Sequence, residues 1–159
     1  MEGPLELVWK HCDITADFLG KLHAARAREL GGDVNEIWHN ISYLVNEMLE
    51  NAVKFGSSGD VELETGLGQG KLQLRICNSV ERTAAVRFQN ILDGLQTGDP
   101  SEMLIERIEE NAANPNLSTS GLGLLTLMSD YGVEFGWKFN ESDGSQSIKL
   151  ETHASLPID

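Results

Sequence analysis

Val34 to Phe55 reads VNEIWHNISYLVNEMLENAVKF, a run without Gly or Pro that is bounded by Asp33 and Gly56. With Glu47 set to zero and about 100° per residue, Ile37, Ile41, Leu44, Met48, Ala52 and Phe55 fall between about 60° and 140°. Asn40, Tyr43, Glu47, Asn51 and Lys54 fall between about −40° and 40° on the same wheel. The spacing therefore predicts one long amphipathic helix whose polar stripe borders the buried face and does not oppose it. A solvated face would be richer in Lys and Glu and would lie across from the core. A carboxylate, a carboxamide and an ammonium along a groove edge suit a metal-bound phosphate: Asn offers Mg²⁺ a neutral oxygen, Lys an ammonium, and Glu can accept a proton. Periodicity alone is also satisfied by an ordinary helix with polar residues at its boundary.

Outward from this helix, Asp33 predicts an N-cap and Gly56-Ser57-Ser58-Gly59 a stop. Upstream, the alternation of Leu5, Leu7, Trp9 and His11 predicts a first strand from Leu5 to Cys12. Asp13 or Thr15 would cap a helix running to about Leu30, stopped by Gly31-Gly32. Downstream, two strands, about Val61 to Thr65 and Lys71 to Cys77, are joined by a glycine turn, Gly66 to Gly70. Helices are expected over about Thr83 to Leu95 and Ser101 to Ala113, with breaks at Gly98-Asp99-Pro100 and Asn114-Pro115-Asn116. A short helix from Gly121 to about Tyr131 precedes two last strands, about Val133 to Phe139 and Ser147 to Ser155, around the hairpin turn Ser142-Asp143-Gly144. Strands paired as hairpins between groups of helices predict an α+β fold, a two-layer α/β sandwich, in place of a repeating βαβ unit. With 159 residues, no internal repeat and no low-complexity linker, one domain spanning 1–159 is expected.

A second signal lies at Ser118-Thr119-Ser120-Gly121-Leu122-Gly123-Leu124-Leu125, a polar glycine-bearing loop that opens directly into a helix. Free N–H groups at a helix N-terminus, with glycines that permit close approach, make an anion site. The other Gly-x-Gly, at Gly66 to Gly70, sits between strands, opens no helix and reads as a hairpin turn.

With both stretches in view, Asn46-Glu47-Met48-Leu49-Glu50-Asn51-Ala52-Val53-Lys54-Phe55 resembles the N-box of the ATPase superfamily shared by gyrase, the Hsp90 chaperone, histidine kinases and MutL. Ser120-Gly121-Leu122-Gly123-Leu124 resembles its second glycine box. The two stand in the family's order and on its elements, and the likeness of strand and helix order covers almost the whole chain. The resemblance implies the histidine-kinase-like ATP-binding sandwich of the Bergerat type, with a mixed, mostly antiparallel sheet covered by helices on one face. It implies ATP or ADP and Mg²⁺ as cofactors, Asn51 as the metal ligand, and Glu47 as the general base. Lys54, Thr119, Ser120, Gly121, Leu122 and Gly123 would lie along the phosphates, and residues of about 81–120 would form a mobile lid.

In one place the sequence departs from the family. The family's Asp-x-Gly-x-Gly, whose Asp accepts a hydrogen bond from the adenine amino group, is replaced by Asn78-Ser79-Val80-Glu81-Arg82. Asn78, in phase with Leu72, Leu74 and Ile76, would face the nucleotide layer and offer a neutral acceptor in place of a carboxylate.

Twelve Lys+Arg against 25 Asp+Glu give a formal charge of −13, which argues against binding nucleic acid or anionic lipid. No apolar run approaches the ~20 residues of a membrane span. The first residues lack the basic-then-apolar pattern of a secretory signal, and two cysteines make no disulfide framework, so a cytoplasmic location is expected. His11, His23, His39 and His153 show no metal-ligand spacing, and His23 lacks the acidic neighbour and later Pro of a histidine-kinase phospho-acceptor box. Solitary domains of this size resemble the anti-sigma-factor serine kinases most. The expected function is ATP-dependent phosphorylation of Ser or Thr on a small anti-sigma-antagonist-like partner in a partner-switching system, with a homodimer open. The alternative is a catalytically silent, nucleotide-dependent protein-binding module.

Overall fold

Asp33 fixes the start of the long helix: its carboxylate accepts hydrogen bonds from the backbone N–H groups of Asn35 (2.9 Å) and Glu36 (3.3 Å), satisfying two of the donors a helix start leaves unpaired. In the computed structural model, which describes residues 9–57, 59–114, 121–141 and 146–158, this helix is α2, Val34–Phe55, with the bounds the sequence predicts. It follows α1 (Trp9–Ala27) and a 3₁₀ turn (Arg28–Leu30). Then come β1 (Glu62–Gly68), β2 (Lys71–Glu81), α3 (Arg82–Leu95), α4 (Pro100–Ala113), α5 (Leu122–Asp130), β3 (Glu134–Glu141) and β4 (Ser147–Pro157).

The expected first strand is corrected. Trp9 to Cys12 forms the start of α1, and Leu5 to Val8 lies outside the described residues. The short alternation around Trp9 gave way to a longer helical period, in which Cys12, Ala16, Ala24 and Ala27 are all buried. These small side chains let α1 lie close on α2. Gly20 marks the tightest approach, where an added Cβ would overlap the Ser42 hydroxyl and stand 2.9 Å from the Trp38 carbonyl oxygen.

The four described strands form one sheet in the order β1-β2-β4-β3, with all three pairings antiparallel. The β1–β2 hairpin closes through Gln69 and Gly70, both at positive φ (52° and 70°), the backbone of a type I′ turn. Leu72, Leu74, Ile76, Asn78 and Val80 of β2, with Ile148, Leu150, Thr152, Ala154 and Leu156 of β4, are buried beneath the helices. The opposite face carries ions such as the Arg75–Glu151 pair at 2.8 Å. This is the two-layer α+β sandwich, helices on one face, that the sequence predicts.

The helical layer covers two apolar clusters. One joins α1 and α2 to β2 and includes Met48, Ala52 and Ile76. The other gathers Phe55, Phe88 of α3, Leu124 of α5 and Leu150. Buried His23 ties α1 to the sheet edge, its Nε2 lying 2.8 Å from the Thr65 hydroxyl. No helix among the described residues is long and apolar enough to cross a membrane.

Candidate functional site

Where the two clusters meet, the polar stripe of α2 lies against the start of α5. The closest approach is between Glu47 and Gly123, where a Cβ added to the glycine would overlap the Glu47 carboxylate. One turn earlier, Tyr43 packs its ring 5.2 Å from that of Tyr131, which follows α5. The two motifs, distant in sequence, thus form one wall. Gly121 makes this possible: it is the N-cap of α5 at φ 87°, a left-handed backbone that side-chain-bearing residues rarely adopt, with Ile91 and Leu95 packed beneath. Its carbonyl accepts the α5 bond from Leu125 N–H (2.9 Å), and that of Leu122 accepts from the Thr126 hydroxyl (2.9 Å).

Next along α2, Asn51 borders a small cavity of about 20 Å³, lined also by Met48, Phe55, Asn78, Phe88 and Trp137. Asn78 is only 4% exposed and its side-chain Nδ2 has no hydrogen-bond acceptor. A buried donor without a partner costs on the order of 1–3 kcal/mol, so it marks a place where a ligand or water would be held. Thr152, directly opposite Ile76 in the β2–β4 register and 8% exposed, adds a hydroxyl-bearing side chain to the lining.

Glu47 is half-buried, and its proton affinity is raised, first by burial and second by the Glu50 carboxylate. The Tyr43 phenol is raised as well, by burial and then by Glu47. Lys54 is exposed at the end of α2, its ammonium 5.4 Å from the centre of the Phe55 ring.

Of the sequence-predicted residues, Glu47, Gly121, Leu122 and Gly123 come together at the α2–α5 contact, and Asn51 and Asn78 share the cavity. Lys54 lies at the far end of the same stripe, and Thr119 and Ser120 lie outside the described residues. The segment expected as a lid begins at the last residue of β2 and contains α3 and α4. Sequence reasoning missed Thr152 and Phe88. Thr152 was detectable, since it falls in phase with Leu150 and Ala154 on an alternating strand. Phe88 was not: on an amphipathic helix its apolar character says only that it is buried, and Phe55 (4.9 Å between centroids) and Trp137 (6.3 Å) reach it from distant segments.

The fold and site together define an α+β sandwich with a polar-edged cavity between its helical layer and its sheet. A chain in the crystal structure of the SiaB–SiaC complex from Pseudomonas aeruginosa is similar to it, with a TM-score of 0.66 and 14% sequence identity over 88% of this chain and 82% of that chain. At that identity the likeness is one of fold. No protein-family model matches the sequence, and no curated protein does.

Proposed function

We propose that this protein is a cytoplasmic, ATP-binding regulator of the gyrase–Hsp90–histidine-kinase–MutL superfamily that phosphorylates a Ser or Thr on a small partner protein. The observation that carries the reading is the contact between Glu47 and Gly123, which joins the two motifs into one site. The residues present fit a purine nucleotide with Mg²⁺ in kind. Asn78 lines the cavity and holds an unpaired buried donor, Asn51 offers a neutral oxygen for the metal, and Gly121 and Gly123 add no side chains at the start of α5. When bound, Mg·ATP supplies the phosphoryl group and the charge neutralisation for its transfer. Glu47, with its raised proton affinity, is suited to take the proton of an attacking hydroxyl, a role worth about 10²–10⁴-fold in rate. Lys54 adds positive charge at the end of the stripe. The structurally similar chain comes from a complex of two proteins, which supports a protein as the partner here.

A specific observation favours the silent-binder reading as the second. The cavity beside Asn51 and Asn78 holds about one water, far less than a purine, because Phe55, Phe88 and Trp137 fill the space. A base could enter only if these rings were displaced.

The test is single-turnover transfer of γ-phosphate from saturating Mg·ATP to small candidate acceptor proteins, comparing wild type with Glu47→Gln. The proposal expects transfer by wild type and a loss of about 10²-fold or more in the variant. Nucleotide binding without transfer to any acceptor would leave the silent binder as the correct reading. Equal transfer by both proteins would remove Glu47 as the base.

A further inference from the structure

Ile105 and Ile108 of α4 are 58% and 52% exposed, and Ala112, one turn further on, is exposed as well. With Ile105 set to zero and about 100° per residue, these three fall between about −60° and 0°. Glu109, Glu102, Glu106 and Glu110 follow between about 40° and 140°, all exposed, so an apolar strip runs along an acidic flank. The packed side of the helix faces the other way. Leu104 is buried there, Met103 and Asn111 are partly covered, and the helix's one base, Arg107, has Glu110 in reach at 3.9 Å. Among the described residues no base pairs with Glu102, Glu106 or Glu109. The helix is also firmly seated. Asp99 caps it, accepting from the backbone N–H groups of Ser101 (2.9 Å) and Glu102 (3.2 Å), Pro100 starts it, and the Ser101 and Ser129 hydroxyls lie 3.0 Å apart across to α5.

A row of carboxylates repels nucleic acid and anionic lipid, and the same face of a second copy would bring carboxylates and no base. What complements this face is an apolar surface that carries cations. The backbone of α4 is hydrogen-bonded within the helix and cannot pair with an added strand, so an occupant must satisfy its own backbone groups. We propose that the outer face of α4 is a docking surface for a basic amphipathic helix of another protein. The apolar residues of that helix seat against Ile105, Ile108 and Ala112, and Lys or Arg on its flank meet Glu102, Glu106 and Glu109. Because α4 is capped and packed beforehand, docking need not order it, which lowers the cost of association. None of these residues lines the cavity at Asn51 and Asn78, so the inference stands apart from the nucleotide reading.

The probe is a fluorescently labelled synthetic helical peptide with Leu along one face and Lys at the other positions, and a second peptide carries Glu in place of Lys. Each is titrated with the full chain, without nucleotide, and followed by anisotropy, with circular dichroism to verify folding. Wild type is expected to bind the Lys peptide, less tightly as salt rises, and not the Glu peptide. Ile105→Ser combined with Ile108→Ser keeps the charge and is expected to weaken binding by at least about tenfold, whereas Ile14→Ser, at an exposed apolar residue on α1, leaves it unchanged. The charges give a second route that keeps both isoleucines. Glu102→Gln, Glu106→Gln and Glu109→Gln in one chain should weaken binding by a similar factor and flatten its salt dependence. Failure of wild type to bind the Lys peptide up to about millimolar concentration, or equal binding of the Glu peptide, would overturn the proposal. So would binding unchanged in the isoleucine variant, which would leave only a general attraction between a basic peptide and an acidic chain, or binding unchanged in the glutamine variant.

Discussion

The carboxylate of Glu47 occupies the place where a side chain on Gly123 would begin. Two consequences follow for substitution. Alanine at the second position of a helix is ordinarily better than glycine by up to about 1 kcal/mol. Here it must push the carboxylate aside, an overpacking cost of about 1–3 kcal/mol. Gly123→Ala is therefore expected to destabilise the wild-type chain and to stabilise one that already carries Glu47→Ala. Denaturant unfolding of the four proteins in this cycle measures the coupling, and additive effects would show that the two residues do not meet.

The raised proton affinity of Glu47 has a sign that stability can read. Its carboxyl binds a proton more tightly in the folded state than the ordinary value of 4.5. Between that value and the higher folded one, the folded chain holds more protons than the unfolded chain, so this group's contribution to stability falls as pH rises through the window. Glu47→Gln removes the penalty. It should melt higher than wild type at about pH 8, with the gain shrinking on acidification and vanishing below about 4.5. Thermal scans across that range check it. A gain independent of pH would mean that the carboxylate carries no such penalty.

Gly20 offers a test of the α1–α2 packing. Gly→Ala inside a helix usually stabilises by about 1 kcal/mol. Because the added methyl would meet the Ser42 hydroxyl and the Trp38 backbone, Gly20→Ala is expected to destabilise instead, by about 1–3 kcal/mol. Urea unfolding with an unchanged m-value and a raised midpoint would contradict the close approach.

The contrast between these sites reflects what a sequence encodes locally. The bounds of α2 were legible because Asp33, a 3.6-residue apolar period and Gly56 act within one segment. The β1–β2 hairpin was legible too, but not its turn: of the glycine turn expected over Gly66 to Gly70, Gly66 to Gly68 pair within β1 and only Gln69 and Gly70, at positive φ, make the reversal. At Trp9 to Cys12 the strand reading failed because the alternation around Trp9 and His11 is too short to outweigh the helical run of small side chains that starts at Cys12. At the site, the meeting of Glu47 with the α5 start could be expected only through the family resemblance, since no local period joins residues so far apart. The collapse of Phe88 onto Phe55 and Trp137 is a tertiary event that depends on how α3 settles over β3, and nothing near residue 88 announces it.

The claim on which the rest depends is that α2 and α5 build a nucleotide site with Asn51 at its metal. Asn51→Ala should leave the helix intact, since alanine is the better helix former, and remove the neutral oxygen. The most direct measurement is titration calorimetry of ATP and ADP, with and without Mg²⁺, into wild type and Asn51→Ala. Wild type is expected to bind both nucleotides, more tightly with Mg²⁺, and the variant to lose the Mg²⁺-dependent part, about tenfold or more in affinity. Failure of wild type to bind either nucleotide at millimolar concentrations, or equal Mg²⁺-dependent binding by both proteins, would contradict it.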